Sequence, residues 1–454
     1  MGRWTRRRLL DAALLAAASA ALPRCHLSWL RPPPFPPDLP PRTPWPEANA
    51  ILDGTALPAI PDAVFAVTGF GAKGDGRNDE AAAVQAAIDA CAGAGGGRVA
   101  VPAGRWLVGA LRLRSRVDLH LEAGAALLFS DDPAKYPPVR TRFEGIECVN
   151  RSPMIYADGE SDVALTGEGT LDASRAASWN QGGDREGVLE PLVARGVPPE
   201  GRDGTGRLRT SMVQPHRCAR VLVQGVKLVG AQFWQLHPVL CRDVTIEGVT
   251  TSGGGPNTDA CDPDSCERVV IRHCSLPSGD DNVALKSGRD ADGRRVGAPC
   301  RDVVVMNCQA EGRFGFLTLG SELTGGIENV YAYNLWTYGR GVGSALWIKS
   351  NSRRGGAVRN VRVDSFRGQR LGGAVVRATM SYFGQTGAWP PSFEGIELTR
   401  LDVAGATRVL DLDGLPANPI GRVRLADSRF AGILDPVNRL VDAPAVVLQN
   451  VVVG

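Results

Sequence analysis

Cys218-Ala219-Arg220-Val221-Leu222-Val223-Gln224-Gly225-Val226 is the first of six gap-free copies of one pattern, the others lying at 241–249, 266–274, 300–308, 327–335 and 358–366. The fourth position reads Val221, Val244, Val269, Val303, Val330 and Val361. The sixth reads Val223, Ile246, Ile271, Val305, Ala332 and Val363, and the ninth Val226, Val249, Cys274, Cys308, Leu335 and Phe366. Apolar side chains at alternate positions describe a strand with one buried face.

Successive copies begin 23, 25, 34, 27 and 31 residues apart. A constant strand followed by a variable remainder suits stacked coils whose turns accept insertions. A propeller blade needs about 40–50 residues, and a leucine-rich repeat would show a Leu scaffold that is absent. Weaker copies at Val117-Leu119-Leu121, Val163-Leu165, Ile396-Leu398 and Val423-Leu425 extend the array over nearly everything after about residue 65. The expected fold is therefore all-β, a single-domain right-handed parallel β-helix. The 55 Gly and 32 Pro suit its many tight turns.

Ahead of the coils, Val84, Ala87, Ile88 and Cys91 have helical spacing. Asn78 or Asp79 is placed to cap this helix, and the Gly-rich run 93–97 to end it. Its expected role is to cover the open edge of the first coil. Gly69-Phe70-Gly71-Ala72-Lys73-Gly74 matches a dinucleotide-binding fingerprint, but no alternation of strands and helices follows, so that function is set aside.

The ten Cys are explained by the repeat: Cys218, Cys241, Cys266 and Cys300 share its first position, and Cys274 and Cys308 its ninth. Stacked, buried thiols are expected, with a disulfide among them left open. Cys261 and Cys266 lack the second pair that a zinc site requires. Hydrophobic residues make up 43% of the chain and charged ones 22%, as in an ordinary folded protein. Net charge is +3, and seven Arg fall in the first 42 residues, leaving no basic stripe for nucleic acid in the folded part.

The amino-terminal segment Thr5-Arg6-Arg7-Arg8-Leu9-Leu10 resembles a twin-arginine export signal. An apolar stretch from Ala12 to Leu22 follows, with Ala18-Ser19-Ala20 as a cleavage site. The stretch is short for a membrane span, although a short anchor is the competing reading. Leu22-Pro23-Arg24-Cys25 is a poor lipoprotein box. The expected organisation is an export signal at 1–24, a Pro-rich arm or linker at 25–60 and the β-helix at 61–454. A periplasmic or secreted protein follows, without stable membrane insertion once the signal is removed. A capped solenoid needs no partner, so a monomer is expected.

Asn257-Thr258-Asp259 and Gly279-Asp280-Asp281 follow adjacent copies of the strand, 16 residues from Cys241 to Asn257 and 14 from Cys266 to Asp280. Coils stack about 4.8 Å apart, which gathers three carboxylates on one face. Clustered carboxylates split their pKa values, so that one retains a proton as general acid while others stay ionised, as glycoside hydrolysis requires. A single Asp would be read as a turn residue; three in register point to catalysis.

The stretches NTDACDPDSC (257–266), GDDNVALKSGR (279–289), Gly320-Ser321-Glu322 and Ile348-Lys349, with FGAKGD (70–75) and VPAG (101–104), resemble glycoside hydrolase family 28, the polygalacturonase family. The resemblance spans roughly residues 65–390. It implies an inverting hydrolase of pectic polysaccharide or oligosaccharide that uses no metal and no cofactor. It assigns Asp280 as general acid and Asp259 and Asp281 as activators of water. Asn257, Arg289, Glu322 and Lys349 become substrate-binding candidates.

Two departures stand out. The family's Gly-His-Gly is here Arg313-Phe314-Gly315, and its Arg-Ile-Lys is Trp347-Ile348-Lys349. Phe314 cannot tune a carboxylate as His does, and Trp347 cannot grip a uronate carboxylate as Arg does. Both either offer flat apolar faces to sugar rings or pack between coils. Lys286, one of five Lys beside 46 Arg, is left unassigned; Trp234 and His237 either line the cleft or pack at a strand end. The rival function is a catalytically weakened carbohydrate-binding β-helix, motivated by the missing His and Arg.

Overall fold

All six copies stack in parallel register in the computed structural model, which describes residues 32–181 and 186–454. Val221 pairs in turn with Val244, Val269, Val303, Val330 and Val361 along one ladder, each step one coil. The weaker copies continue it on both sides, Val117 with Val163 before and Ile396 with Val423 after. The result is a right-handed parallel β-helix with a 14-stranded sheet along its length. Three shorter parallel sheets form the other two faces, those of 3 and 6 strands being joined into one face by isolated bridges such as Leu236–Cys261 and Cys261–Val283. The apolar alternation points inward and makes one continuous core.

The coil corners are set by backbone conformation. At the third repeat position Arg220, Asp243, Arg268, Asp302, Asn329 and Asn360 all have φ between +53 and +58. The left-handed region is unfavourable for most side chains and least so for Asn and Asp. These residues then bond one another from coil to coil. Asn329 Nδ2 donates to Asp302 at 2.8 Å, Asn360 Nδ2 donates to Asn329 at 2.9 Å, and the Arg268 guanidinium donates to Asp243 at 2.6 and 3.0 Å.

Two helices lie outside the coils at the start of this unit. Helix α1, Pro46–Gly54, lies on the outer surface of the long sheet, where Ala48 packs on Val304, Met306 and Tyr331 and Trp45 on Tyr331 and Tyr333. The arm expected at 25–60 is thus docked and partly helical from Phe35 onward, and it belongs to the same compact unit as the coils. Its anchors lie some 250 residues away in sequence, which is why local composition read as extended. Helix α2, Ala81–Gly93, covers the first coils with Val84, Ala87, Ile88 and Cys91 buried, the four residues that the spacing singled out. Asp79 accepts the Ala81 N–H at 3.1 Å, whereas Asn78 turns back to Asp75 instead of capping.

At the other end the strand Val446–Val453 leaves Val447, Leu448, Val452 and Val453 exposed. Nine cysteines are free and buried, so none of the described thiols is in a disulfide. The export signal expected at 1–24 lies outside the described residues. Among those described, no helix is long and apolar enough to cross a membrane.

Candidate active site

On the second face, Leu236 bridges Cys261, Cys261 bridges Val283, and Val283 pairs with Leu317. Two residues before each of these stand Trp234, Asp259, Asp281 and Gly315, consecutive steps one coil apart. The backbone carries the same register: Ala260 N–H donates to the Asp281 carbonyl at 3.1 Å, and Asn282 N–H to the Gly315 carbonyl at 2.9 Å. Asp280 joins from the bend before Val283, its carboxylate accepting Asn257 N–H at 3.1 Å and Asp281 N–H at 3.0 Å. One oxygen from each of the three carboxylates lies within 4.8 Å of the others. The expected cluster forms.

Each acid has its own surroundings. Asp281 is buried and saturated: Oδ1 accepts Gly315 N–H and Thr318 Oγ1, both at 2.8 Å, and Oδ2 meets Lys349 Nζ at 2.8 Å. Gly315 permits this closeness, since a Cβ there would sit 2.1 Å from Thr318 Oγ1. Asp259 is buried with Oδ1 unpartnered. Burial, with the Asp280 charge beside it, pushes Asp259 well above the usual carboxylate range. Asp280, the least buried of the three, is raised by burial and by Asp281. The cluster therefore retains a proton at pH values where free carboxyls have lost theirs.

Buried cations balance the acids. Lys286 Nζ lies 3.0 Å from Glu322, 3.9 Å from Asp262 and over the Trp234 ring at 4.8 Å. Burial alone would lower its pKa, but Glu322, Asp262 and Asp259 hold it well above the ordinary lysine range. Lys349 is likewise raised against its burial by Asp281. Three acidic oxygens at this spacing could ligate a cation. Here Asp281 has both oxygens engaged by protein donors, and two ammonium groups already supply the positive charge.

The coil before the acids is covered. The hairpin Pro138–Phe143 and Ile146–Arg151, with helix α3 (Glu186–Ala194), packs Phe143, Ile146, Cys148, Val188, Leu189 and Leu208 onto Phe233 and Trp234. On the coils after the acids the cleft stays open and aromatic. Phe314 stacks on Trp347 at 6.1 Å, and Tyr382 meets Trp347 edge-on at 6.1 Å. Phe314 is 37% exposed and Trp347 7%.

Of the residues expected to bind substrate, Lys349, Trp347, Phe314 and Asn257 border the acids; two do not face open cleft. Arg289 is buried and ion-paired with Glu144 and Glu190. Glu322 is buried between Lys286 and Arg354, which hold it far below the usual carboxylate range despite burial. A charge with no water around it needs a protein partner, and these are satisfied by one another. Trp234 and His237 are packed away: His237 Nδ1 lies 3.0 Å from Ser211 Oγ and 2.8 Å from Gln214 Nε2, and burial pushes the imidazole below its ordinary pKa. The fingerprint-like 69–74 segment forms a turn at the first coil, with Gly71 at φ +91.

Sequence reasoning passed over Asp262, Arg377 and Tyr382. Asp262 lies inside the acidic motif itself, one residue past the apolar Cys261. Arg377 follows Trp347 by 30 residues, within the range of the repeat, and pairs with it in parallel register.

Residues 200–388 match the family model for glycosyl hydrolases family 28. A solved structure, the hyperthermoactive exopolygalacturonase from Thermotoga maritima, is 35% identical with a TM-score of 0.83, covering 90% of this chain and 95% of that one. A probable polygalacturonase of Vitis vinifera is 28% identical over 378 residues, 77% of this chain and 70% of its own length. An exo-poly-alpha-D-galacturonosidase of Dickeya chrysanthemi is 25% identical over 378 residues, 75% of this chain and 60% of its own. Coils in register, three acids gathered on two adjacent coils and likeness over nearly the whole solenoid lead to one conclusion: the chain belongs to glycoside hydrolase family 28.

Proposed function

We propose that the protein hydrolyses glycosidic bonds in pectic polysaccharide or oligosaccharide, with Asp280 as general acid and Asp259 and Asp281 activating the attacking water. The observation that carries this reading is the geometry of the trio, three carboxylates within 4.8 Å on adjacent coils, with Asp259 and Asp280 both pushed up by burial and neighbouring charge. Asp280 is the acid because it is the least buried and so the first to meet the glycosidic oxygen. Asp281, fixed by Gly315, Thr318 and Lys349, orients water. The intact trio disfavours the rival, a carbohydrate-binding protein that has lost catalysis.

Two finer assignments accompany it. The reaction inverts the anomeric centre, as the family resemblance implies. Oxygens within 4.8 Å are nearer than the roughly 6.5–9.5 Å usual between inverting carboxylates, so general spacing by itself would favour retention. Saturated hydrogen bonding at Asp281 argues against that residue as a nucleophile. Cleavage is exo, because the Phe143–Trp234 cluster closes the cleft one coil before Asp259. The substrate is a polymer, so the enzyme is taken to be exported through its amino-terminal signal; fractionation of cells should find it outside the cytoplasm.

The deciding experiment follows galacturonate oligomers by NMR with Asp280→Asn and Asp259→Asn alongside. Wild type should release inverted monomer or dimer from one end, and a retained product would make Asp259 the nucleophile. Asp280→Asn should lose at least about a thousandfold in kcat on the natural linkage. It should recover on an aryl galacturonoside whose leaving group needs no proton. Recovery by Asp259→Asn instead would transfer the acid role to Asp259.

A further inference from the structure

Arg377 differs from the other cations of the cleft face. Lys286, Lys349, Arg354 and Arg439 each have a carboxylate within 3.4 Å. Arg377 is half-buried and forms no ion pair with any described residue. The nearby acids Asp411 and Asp413 are taken by Arg439 at 3.0 and 2.7 Å. Its guanidinium lies over the Trp347 ring, 4.4 Å from the centroid. Thr318, Trp347 and Arg377 are consecutive rungs of one ladder, and Thr318 holds Asp281. Arg377 also lines a cavity of about 260 Å³ with Trp347, Tyr382 and Phe383, whose two acids, Asp411 and Asp413, are the pair held by Arg439.

A guanidinium over an aromatic ring can still turn its N–H edge to a ligand, and that edge matches a carboxylate bidentately. Trp347, only 7% exposed, is the support on which the guanidinium rests. Resting on the pectic reading above, we propose that Arg377 recognises the C6 carboxylate of the uronic acid unit occupying this cavity. Selection of acidic over neutral or esterified sugar is thereby placed one coil beyond Trp347. The cation that position 347 lacks is supplied from position 377.

The test is equilibrium binding of trigalacturonate and its carboxyl-reduced counterpart to the full chain, as wild type, Arg377→Gln and Arg377→Lys. Wild type should bind the acid at least tenfold more tightly than the reduced sugar. Arg377→Gln should erase that preference while leaving affinity for the reduced sugar unchanged, and Arg377→Lys should restore part of it. In turnover, Arg377→Gln should raise KM for free-acid oligomers far more than it lowers kcat. A preference that survives in Arg377→Gln, or is absent from wild type, overturns the assignment. If wild type binds with this Arg377-dependent preference yet cleaves no pectic glycan, the hydrolytic reading fails and the assignment stands.

Discussion

Asp262 is a buried carboxyl beside the acid trio. It is fully buried, neither carboxylate oxygen has a hydrogen-bond partner, and Lys286 is no nearer than 3.9 Å. Burial and then the neighbouring Asp259 hold it well above the usual carboxylate range. A carboxyl with a raised folded pKa keeps its proton in the native chain after the unfolded chain has lost it. Its stabilising contribution is therefore full below the unfolded value of about 4 and is lost as pH rises through the folded value. Asp262→Asn, which cannot ionise, should melt with wild type at about pH 4 and above it at about pH 8, the gap widening steadily between. A gap independent of pH would remove ionisation as the cause. The opposite sign holds at Lys349: truncation to Ala strands Asp281 without its cation and should cost about 3–5 kcal/mol in urea unfolding, with loss of turnover. The clustered carboxylates were legible because repeat register juxtaposes Asp259 and Asp281, with Asp280 beside them. The roles of Lys286 and Glu322 were not, since which charges face water and which face each other is decided by loops.

Among the elements, the coil corner is the most exacting. Asn329 combines φ +56 with bonds to Asp302 and Asn360. Asn329→Val should lose about 3 kcal/mol, from left-handed strain of about 1–2 and two hydrogen bonds of about 1 each, offset by some relaxation. Asn329→Gly should recover the strain component alone, so the difference between the two variants in urea unfolding isolates conformation from bonding. The apolar alternation of these strands was plain in the sequence. The corner was not, because Arg220 and Arg268 occupy the same position as Asn329 and Asn360 and disguise a conformational requirement as mixed polarity. Helix α2 was legible throughout, being defined by its own periodicity. Helix α1 was not, because packing on Val304, Met306 and Tyr331 rather than local pattern holds it in place.

Taken whole, the molecule is a one-dimensional stack in which each coil touches its neighbours, so stability should vary along the axis. Helix α2 closes one end and α1 braces the middle, while the Val446–Val453 strand closes the other with four of its six apolar residues exposed. Amide exchange should be slowest in Arg242–Glu247, Glu267–Arg272 and Cys300–Ala310 and fastest in Arg439–Val441 and Val446–Val453; uniform protection would contradict a stack that opens from its end. Within this stack, Cys218, Cys241, Cys266 and Cys300 stand coil above coil, with Cys91 on the buried face of helix α2 and Cys148 in the hairpin. A thiol reagent in native buffer cannot reach any of them until its own layer parts. The molecule thus contains its own chronometer: the order in which these thiols become modified would record, layer by layer, how a breach travels along the solenoid.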